Sequence, residues 1–466
     1  MKTITYKPRS KIEIDSKSGL NTLLAAFFAL VTSSAFAQGT GLTPSGAEQA
    51  GTASGIPDWS APQPMTPGWT YGQLRKDFFQ FKSDAPLYSI DATNVDKYSG
   101  QLNPGQIALI KSVKGYSMPV YPSRRTCGVP DFVANNTKKN VGFAKIKTED
   151  NSLVDAYTPG IPFPDPKTGA EAMWNAKMRY RGIGQEQYAA ITSVSPRKGS
   201  SDWIKVTADQ YTYLPWAAKS GTTFAEAGRV ENYIYFNYIS PAAMAGQAAT
   251  FTGAADKPAE AFYYFPGQRR TRRMPAYSYD APQIGYESQY NIDESYVFAG
   301  LMDRFDWKLV GKKEMIVPYN ALGMYDFKSK YEDVMQPDFV AASQRRYELH
   351  RVWVVEATVK QGMRHSAPKR TYYIDEDSWA LVGAVDYDAQ GAVSKVREGH
   401  VIPVYETGTC DSLAFIQYSL SSGRYVMDGS PLASGKDIKW SVDGTGNPHF
   451  KPGFYNPENL RAMSER

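Results

Sequence analysis

The sequence predicts an α+β protein: one large antiparallel sheet capped by helices. Three observations carry this. Helix-start signals cluster before residue 200, the apolar period changes to two from about residue 202, and the later runs are separated by short turns. Helices followed by strands, without strict alternation, argue α+β over α/β.

The N-terminus comes first. Lys2, Lys7, Arg9, Lys11 and Lys17 lead into an apolar stretch from Leu20 to Val31, and SSAFA follows with Ala35 and Ala37 as its small residues. That is the three-part pattern of a secretory signal peptide, and its apolar run is short for a membrane span. No twin arginine precedes the run and no cysteine follows the cut, so general secretion without a lipid anchor is expected. The expected organisation is a leader over 1–37 and a single large domain over 38–466. Within that domain, a helix-rich part covers about 70–200 and the sheet about 202–425. The expected location is the periplasm, with outer-membrane association as an extension. The formal charge of +5 falls to about +2 without the leader, a poor match to a nucleic-acid partner.

Residues 38–70 are rich in Gly, Pro, Ser and Thr and should meander. NPGQIALIKSVKGY at 103–116 offers Asn103 as N-cap, Pro104 at the first helical position and Gln106 at the third. TGAEAMWNAKMRYRG at 168–182 repeats the logic with Thr168 and Glu171, and Gly182 is a candidate stop. Strand patterns follow in DWIKVTADQYTYL, ENYIYFNYI, EAFYYF, HRVWVVEATV, KRTYYID and WALVGAVDYD. The tail from Pro457 reads as one last short helix. Tyr, Phe and Trp suit a half-buried sheet, and equally an apolar cavity between sheet and helices.

Motifs for catalysis are missing. There is no G-x-S-x-G to expose a serine nucleophile. GSPLASGKD at 429–437 has the wrong spacing for a phosphate loop, and GIGQEQ at 182–187 lacks the third glycine of a dinucleotide loop. His350, His365, His400 and His449 stand too far apart for a local zinc pattern, although distant residues can still assemble a site. Carboxylates cluster at Asp293–Glu294, at Asp303 with Asp306, and at Asp375–Asp377. Asp303 and Asp306 fit one helix face with surface partners Arg304 and Lys308, and Asp375–Asp377 fits turn chemistry. No catalytic residue, metal or cofactor is expected. Cys127 and Cys410 can form a disulfide in an oxidising compartment, and two unpaired buried thiols is the alternative.

YYFPGQRRTRRMP at 263–275 concentrates four arginines behind aromatics. It reads as a strand, a type II turn at Pro266-Gly267 and a second strand from Gln268. Alternation then puts Arg270 and Arg272 on one face and Arg269 and Arg273 on the other. Tyr263, Phe265 and these four arginines are the candidate ligand-binding residues. A charged sheet edge and an anionic-headgroup contact are both open.

Several stretches resemble the bacterial exported proteins grouped as domain-of-unknown-function family 1329. They are MPVYPSRRT (118–126), GIPFPDPKTGAEAMWNAKMRYRG (160–182), FYYFPGQRRTRRMP (262–275), DRFDWKLVGKKEMIVPYN (303–320), RYELHRVWVVEATVKQGMRH (346–365) and KRTYYIDEDSWALVGAVDYDAQG (369–391). FYYFPGQRRTRR and YYIDEDSWALVGAVDYDAQGAV are also similar to outer-membrane lipoprotein carriers of the LolA and LolB type. The resemblance implies a curved antiparallel half-barrel capped by helices around an apolar cavity. It also implies a lipid-like or hydrophobic small-molecule cargo, and an accessory role beside an RND-type transporter or an outer-membrane protein. A periplasmic carrier is therefore the leading reading. A hydrolase acting on a hydrophobic or polymeric substrate, and a non-catalytic module of a transporter complex, are the alternatives.

Overall fold

The computed structural model describes residues 41–62, 65–274 and 278–464. The leader and its cleavage point lie outside the described residues. From Gly41 onward the chain forms one compact unit.

Two meanders build the sheet. The first runs through Gly184–Val194, Ile204–Tyr213, Val230–Ser240, Ala248–Ala254, Glu260–Phe265 and Arg270–Arg273. The second runs through Phe305–Pro318, Tyr347–Val359, Lys369–Asp375, Leu381–Tyr387, Val393–Gly399, Phe415–Ser419 and Arg424–Asp428. They join where Arg424–Asp428 pairs with Gly184–Val194, through Val426↔Val194 and Met427↔Ser193. All these pairings are antiparallel. The short strand Met118–Val120 adds one parallel bridge, Val120↔Tyr347. The sheet is open: Phe305–Pro318 ends one side and Arg270–Arg273 the other.

Each face is covered. Alternation puts Tyr372, Leu381, Phe415 and Val426 on an inner face, with Ala208, Ala249 and Tyr263 continuing it across the first meander. The helix Gly169–Met178 covers one end of this face. Its capping box forms as the sequence predicts, with the Glu171 N–H donating to Thr168. Gly169 lets it approach closely, since a Cβ there would stand 2.8 Å from the Trp307 backbone carbon. The helix buries Met173 and Trp174 completely, and truncating such a tryptophan costs about 3–5 kcal/mol. On the outer face, the helix Pro104–Ser112 packs on Val385 and Val396 through Gly105. The C-terminal helix Pro457–Ser464 buries Leu460 among Tyr211, Tyr235 and Tyr264.

Several details differ from expectation. The first long strand starts at Gly184, earlier than about residue 202, because GQEQYAAITSV buries Gln185 and Gln187 and hides its period, and the short strands Tyr88–Ile90 and Met118–Val120 join the sheet earlier still. A helix at Asp131–Asn140 carries too polar a sequence to show an apolar stripe. The 169–178 helix stops at Met178, and Gly182 takes its positive φ of 86° in the irregular connection to the strand that starts at Gly184. Asp303 lies in a turn and Asp306 in a strand, so they share no helix face.

Cys127 and Cys410 are joined by a disulfide with 1.99 Å between the sulfurs. The bond ties the segment before the 131–140 helix to the hairpin strand Thr409–Asp411, across 283 residues of chain. Closing so long a loop restricts the unfolded chain, so replacing both cysteines by alanine should lower stability by about 2–4 kcal/mol. Denaturant unfolding of oxidised wild type against the variant checks this, and an unchanged midpoint would contradict it.

Candidate functional site

Residues 278–304, which lie between the two meanders in sequence, cross the inner face of the sheet. What holds this segment there is mainly charge. Arg370 and Arg397 stand on the inner face, 0% and 1% exposed. Asp386, opposite Arg370 in the register, pairs with both, reaching Arg397 Nη1 at 2.9 Å and Arg370 Nε at 3.4 Å. One carboxylate cannot neutralise two guanidiniums. The crossing segment brings the others on a short 3₁₀ turn, Ile292–Glu294, capped by Asn291. Asp293 accepts from Arg370 at 2.6 Å and from His365 Nε2 at 2.9 Å. The Ala367 N–H donates to His365 Nδ1, which places the ring proton on Nε2, facing Asp293. Glu294 accepts from Lys395 at 2.6 Å and from Gln417 at 3.0 Å.

Burial alone would raise the Asp293 carboxyl. Arg370 and His365 outweigh it and hold that carboxyl well below the usual range. Asp386 follows the same logic: burial raises it, Arg370 and Arg397 prevail, and the net shift is downward.

Aromatic contacts extend the docking. Phe298 packs on Tyr372 with ring centroids 5.3 Å apart. The Tyr290 hydroxyl lies 2.7 Å from Asp428 Oδ2, and Thr192 donates to the other oxygen of Asp428 at 2.6 Å. Gln210 donates to the Tyr296 hydroxyl. Burial, then Asp428, pushes the Tyr290 phenol well above its ordinary value, so it stays a neutral donor.

Between this segment and the first meander lies an apolar cleft of about 130 Å³. Ile234, Phe236, Tyr238 and Phe251 form its sheet wall, and Tyr286 and Tyr290 its opposite wall. Glu231 lies at one end, 2.9 Å from Lys177, and burial raises its carboxyl. The cleft is smaller than the roughly 300–1,000 Å³ of pockets that enclose drug-sized ligands. A ligand with a long apolar part fits only if the crossing segment lifts.

None of the residues singled out from sequence lines this cleft, and Tyr263 alone among them is seen to touch one of its walls. Tyr263 is buried and packs on Phe251, a cleft wall, with centroids 5.9 Å apart, while Phe265 continues the row. Register pairs Tyr263 with Arg272 and Phe265 with Arg270, so these arginines do share the inner face, at its rim. Arg273 lies opposite Phe262 on the outer face and pairs with Glu260 at 3.2 Å. The turn differs from type II: Pro266–Gln268 form a 3₁₀ turn, Arg269 takes the left-handed conformation (φ 48°), and the strand starts at Arg270. Arg269 therefore stands outside the alternation that was to pair it with Arg273. All four arginines are exposed. The sequence reading missed Phe236, Phe251, Arg370 and Arg397. The usable signal was charge inside strand runs that are otherwise apolar or aromatic: Arg370 in KRTYYID, Asp386 in LVGAVDY and Arg397 in VSKVREG.

An open antiparallel sheet with helices packed on it and an apolar cleft beneath a crossing segment defines a fold of the α+β class. The chain belongs to the family described as "Protein of unknown function (DUF1329)", whose model matches residues 89–461. It is 34% identical over 398 residues to the uncharacterized protein PA3922 of Pseudomonas aeruginosa, covering 83% of this chain and 85% of that one. Among solved structures, a candidate outer membrane lipoprotein-sorting protein domain from Vibrio parahaemolyticus aligns with a TM-score of 0.42 at 11% identity. That alignment covers 62% of this chain and 97% of the other. The LolA superfamily protein NE2245 from Nitrosomonas europaea aligns with a TM-score of 0.35 at 10% identity, covering 63% and 99%.

Asp293→Asn leaves Arg370 buried beside a neutral amide, and the expected loss is about 3–5 kcal/mol in denaturant unfolding at pH 7. The stability from the depressed carboxyl is complete above the unfolded value of about 4 and is lost as pH falls through the folded one. The gap between wild type and Asp293→Asn should therefore start to narrow only below about pH 4. A gap already closed at pH 5 would contradict the pairing.

Proposed function

We propose that this chain is a periplasmic carrier that holds a lipid or other hydrophobic molecule in the cleft between its sheet and residues 278–301. The observation that carries the reading is the aromatic cleft itself, roofed by a segment docked through side chains. Such a roof can lift without unpairing the sheet, and lifting lengthens the cleft along the inner face. The disulfide supports an oxidising compartment. The basic, apolar and small-residue pattern before Gln38 supports export.

The exposed arginines at the rim fit an amphiphilic cargo. Arg270 and Arg272 share the face of the cleft wall and can meet an anionic headgroup whose apolar part lies inward. Tyr263 and Phe265 then act as the apolar floor between rim and cleft. An accessory role beside an RND-type transporter or an outer-membrane protein follows the family resemblance.

Protein purified without detergent should carry an amphiphile detectable by native mass spectrometry. It should also bind a fluorescent fatty acid. Phe236→Arg, which places a charge in the cleft wall, should weaken that binding at least tenfold, about 1.4 kcal/mol, while the variant stays folded. No bound amphiphile together with no probe binding would overturn the carrier reading, and turnover of ester substrates would favour a hydrolase.

A further inference from the structure

We propose that His350, Asp375 and Asp377 form a structural site for a divalent transition-metal ion of the zinc type, on the sheet end beside the disulfide. His350 comes from the strand Tyr347–Val359, Asp375 ends the strand Lys369–Asp375, and Asp377 lies in the turn that follows. One ring nitrogen and one oxygen from each carboxylate lie within 4.8 Å of one another. All three residues are buried, at 1%, 0% and 2% exposure. Drawing each ligand atom in by roughly 1 Å would reach zinc–ligand distances near 2.0–2.2 Å.

A second observation points to a cation. Asp375 Oδ2 accepts from the Ser378 N–H at 2.9 Å, the Ser378 hydroxyl at 2.6 Å and the Tyr319 hydroxyl at 3.2 Å. Asp375 Oδ1 is buried and has no partner among the described residues. The neighbouring acids are all matched. Asp377 pairs with Arg125 at 2.6 Å, Glu376 with Lys312 at 2.9 Å and with Arg351, and Glu348 with Arg346 at 2.7 Å. No Lys or Arg among the described residues pairs with Asp375. An uncompensated buried carboxylate costs several kcal/mol unless it is protonated or meets a cation.

The surrounding contacts suit ligation. Glu348 Oε2 lies 3.1 Å from His350 Nε2, and the ring stacks on Tyr319 with centroids 3.6 Å apart, which fixes its plane. That leaves Nδ1 as the ligand nitrogen, with Glu348 orienting the ring from behind as carboxylates do for metal-bound histidines. Arg125 holds Asp377 with two bonds yet leaves lone pairs on both oxygens. One imidazole and two carboxylates match zinc or manganese. The ion would tie the strand end to the N-terminal segment, because Ser45 donates to the Asp377 carbonyl at 2.8 Å and Arg125 bonds the Glu48 and Gln49 carbonyls.

The test uses the full exported chain, stripped with chelator under mild denaturant, refolded with its disulfide intact, and titrated with zinc chloride alone. Elemental analysis should find one zinc per chain, with a melting temperature raised by several degrees relative to the stripped protein. Asp375→Asn, of nearly the same shape, should abolish both the stoichiometric zinc and the shift. Cobalt substitution reads ligation directly: wild type should show visible absorption bands that Asp375→Asn lacks, and if that variant does not fold, the wild-type bands decide. No zinc retained and no cobalt spectrum in wild type, or equal zinc binding and shift in Asp375→Asn, would overturn the site.

Discussion

Two guanidiniums, Arg370 and Arg397, stand on the inner face of the sheet with almost no contact with water, and the middle of the molecule is organised around that constraint. A buried charge is tolerated only when it is paired and hydrogen-bonded. Asp386 supplies one carboxylate from within the sheet. The rest must come from elsewhere, and the segment between the meanders is the element that brings Asp293 and Glu294 to them. The path of residues 278–301 is thereby fixed at its centre. Its flanks are left to pack as their aromatics allow, Phe298 toward Tyr372 and Tyr290 toward Asp428. The cleft is what remains between the segment and the first meander.

The same constraint bears on the seam of the sheet. The meanders meet through only two residue pairs between Arg424–Asp428 and Gly184–Val194. So short a ladder needs side-chain support. Tyr425 N donates to Ser195 Oγ, Arg424 Nε donates to the Ser195 carbonyl, and Thr192 and Tyr290 converge on Asp428. Lys439–Ser441 adds a third partner along Gly184–Val194. The crossing segment thus closes the cleft and braces the seam with one set of contacts. Ligand entry that loosened Tyr290 would also loosen the junction between the two halves.

How much of this was legible depends on how local the physics is. The capping boxes at Asn103 and Thr168 are local, since each needs only four consecutive residues, and both form. Long strands with β-branched or aromatic alternation are nearly as local. Gly184–Val194 fails that reading because its first inward positions, Gln185 and Gln187, are glutamines and its register shifts between Gln187 and Ala190. The site is the least local feature. Asp293 and Arg370 lie 77 residues apart, and nothing near either one names the other. The conspicuous run RRTRR lies exposed on an edge strand, while the arginines that organise the fold sit singly in unremarkable strands. Charge density in a sequence marks solvated surface more readily than it marks buried function.

A roof held by ion pairs differs physically from one held by aliphatic packing. Apolar contacts are short-ranged and are lost as soon as the surfaces part, whereas the attraction of a buried ion pair depends on the local dielectric and falls steeply once water enters. Docking through Asp293 and Glu294 therefore ties the seating of this segment to the dryness of these pairs. A segment released from them would leave Arg370 and Arg397 uncovered on the same inner face that carries the cleft and, at the far edge, Arg270 and Arg272. An amphiphile with an anionic head could compensate those guanidiniums in the absence of the two carboxylates, while its apolar part extended the space that Phe236 and Phe251 begin. On the carrier reading proposed above, seating and loading would compete for the same charges, which would couple the presence of cargo to the position of the roof without any change in the sheet.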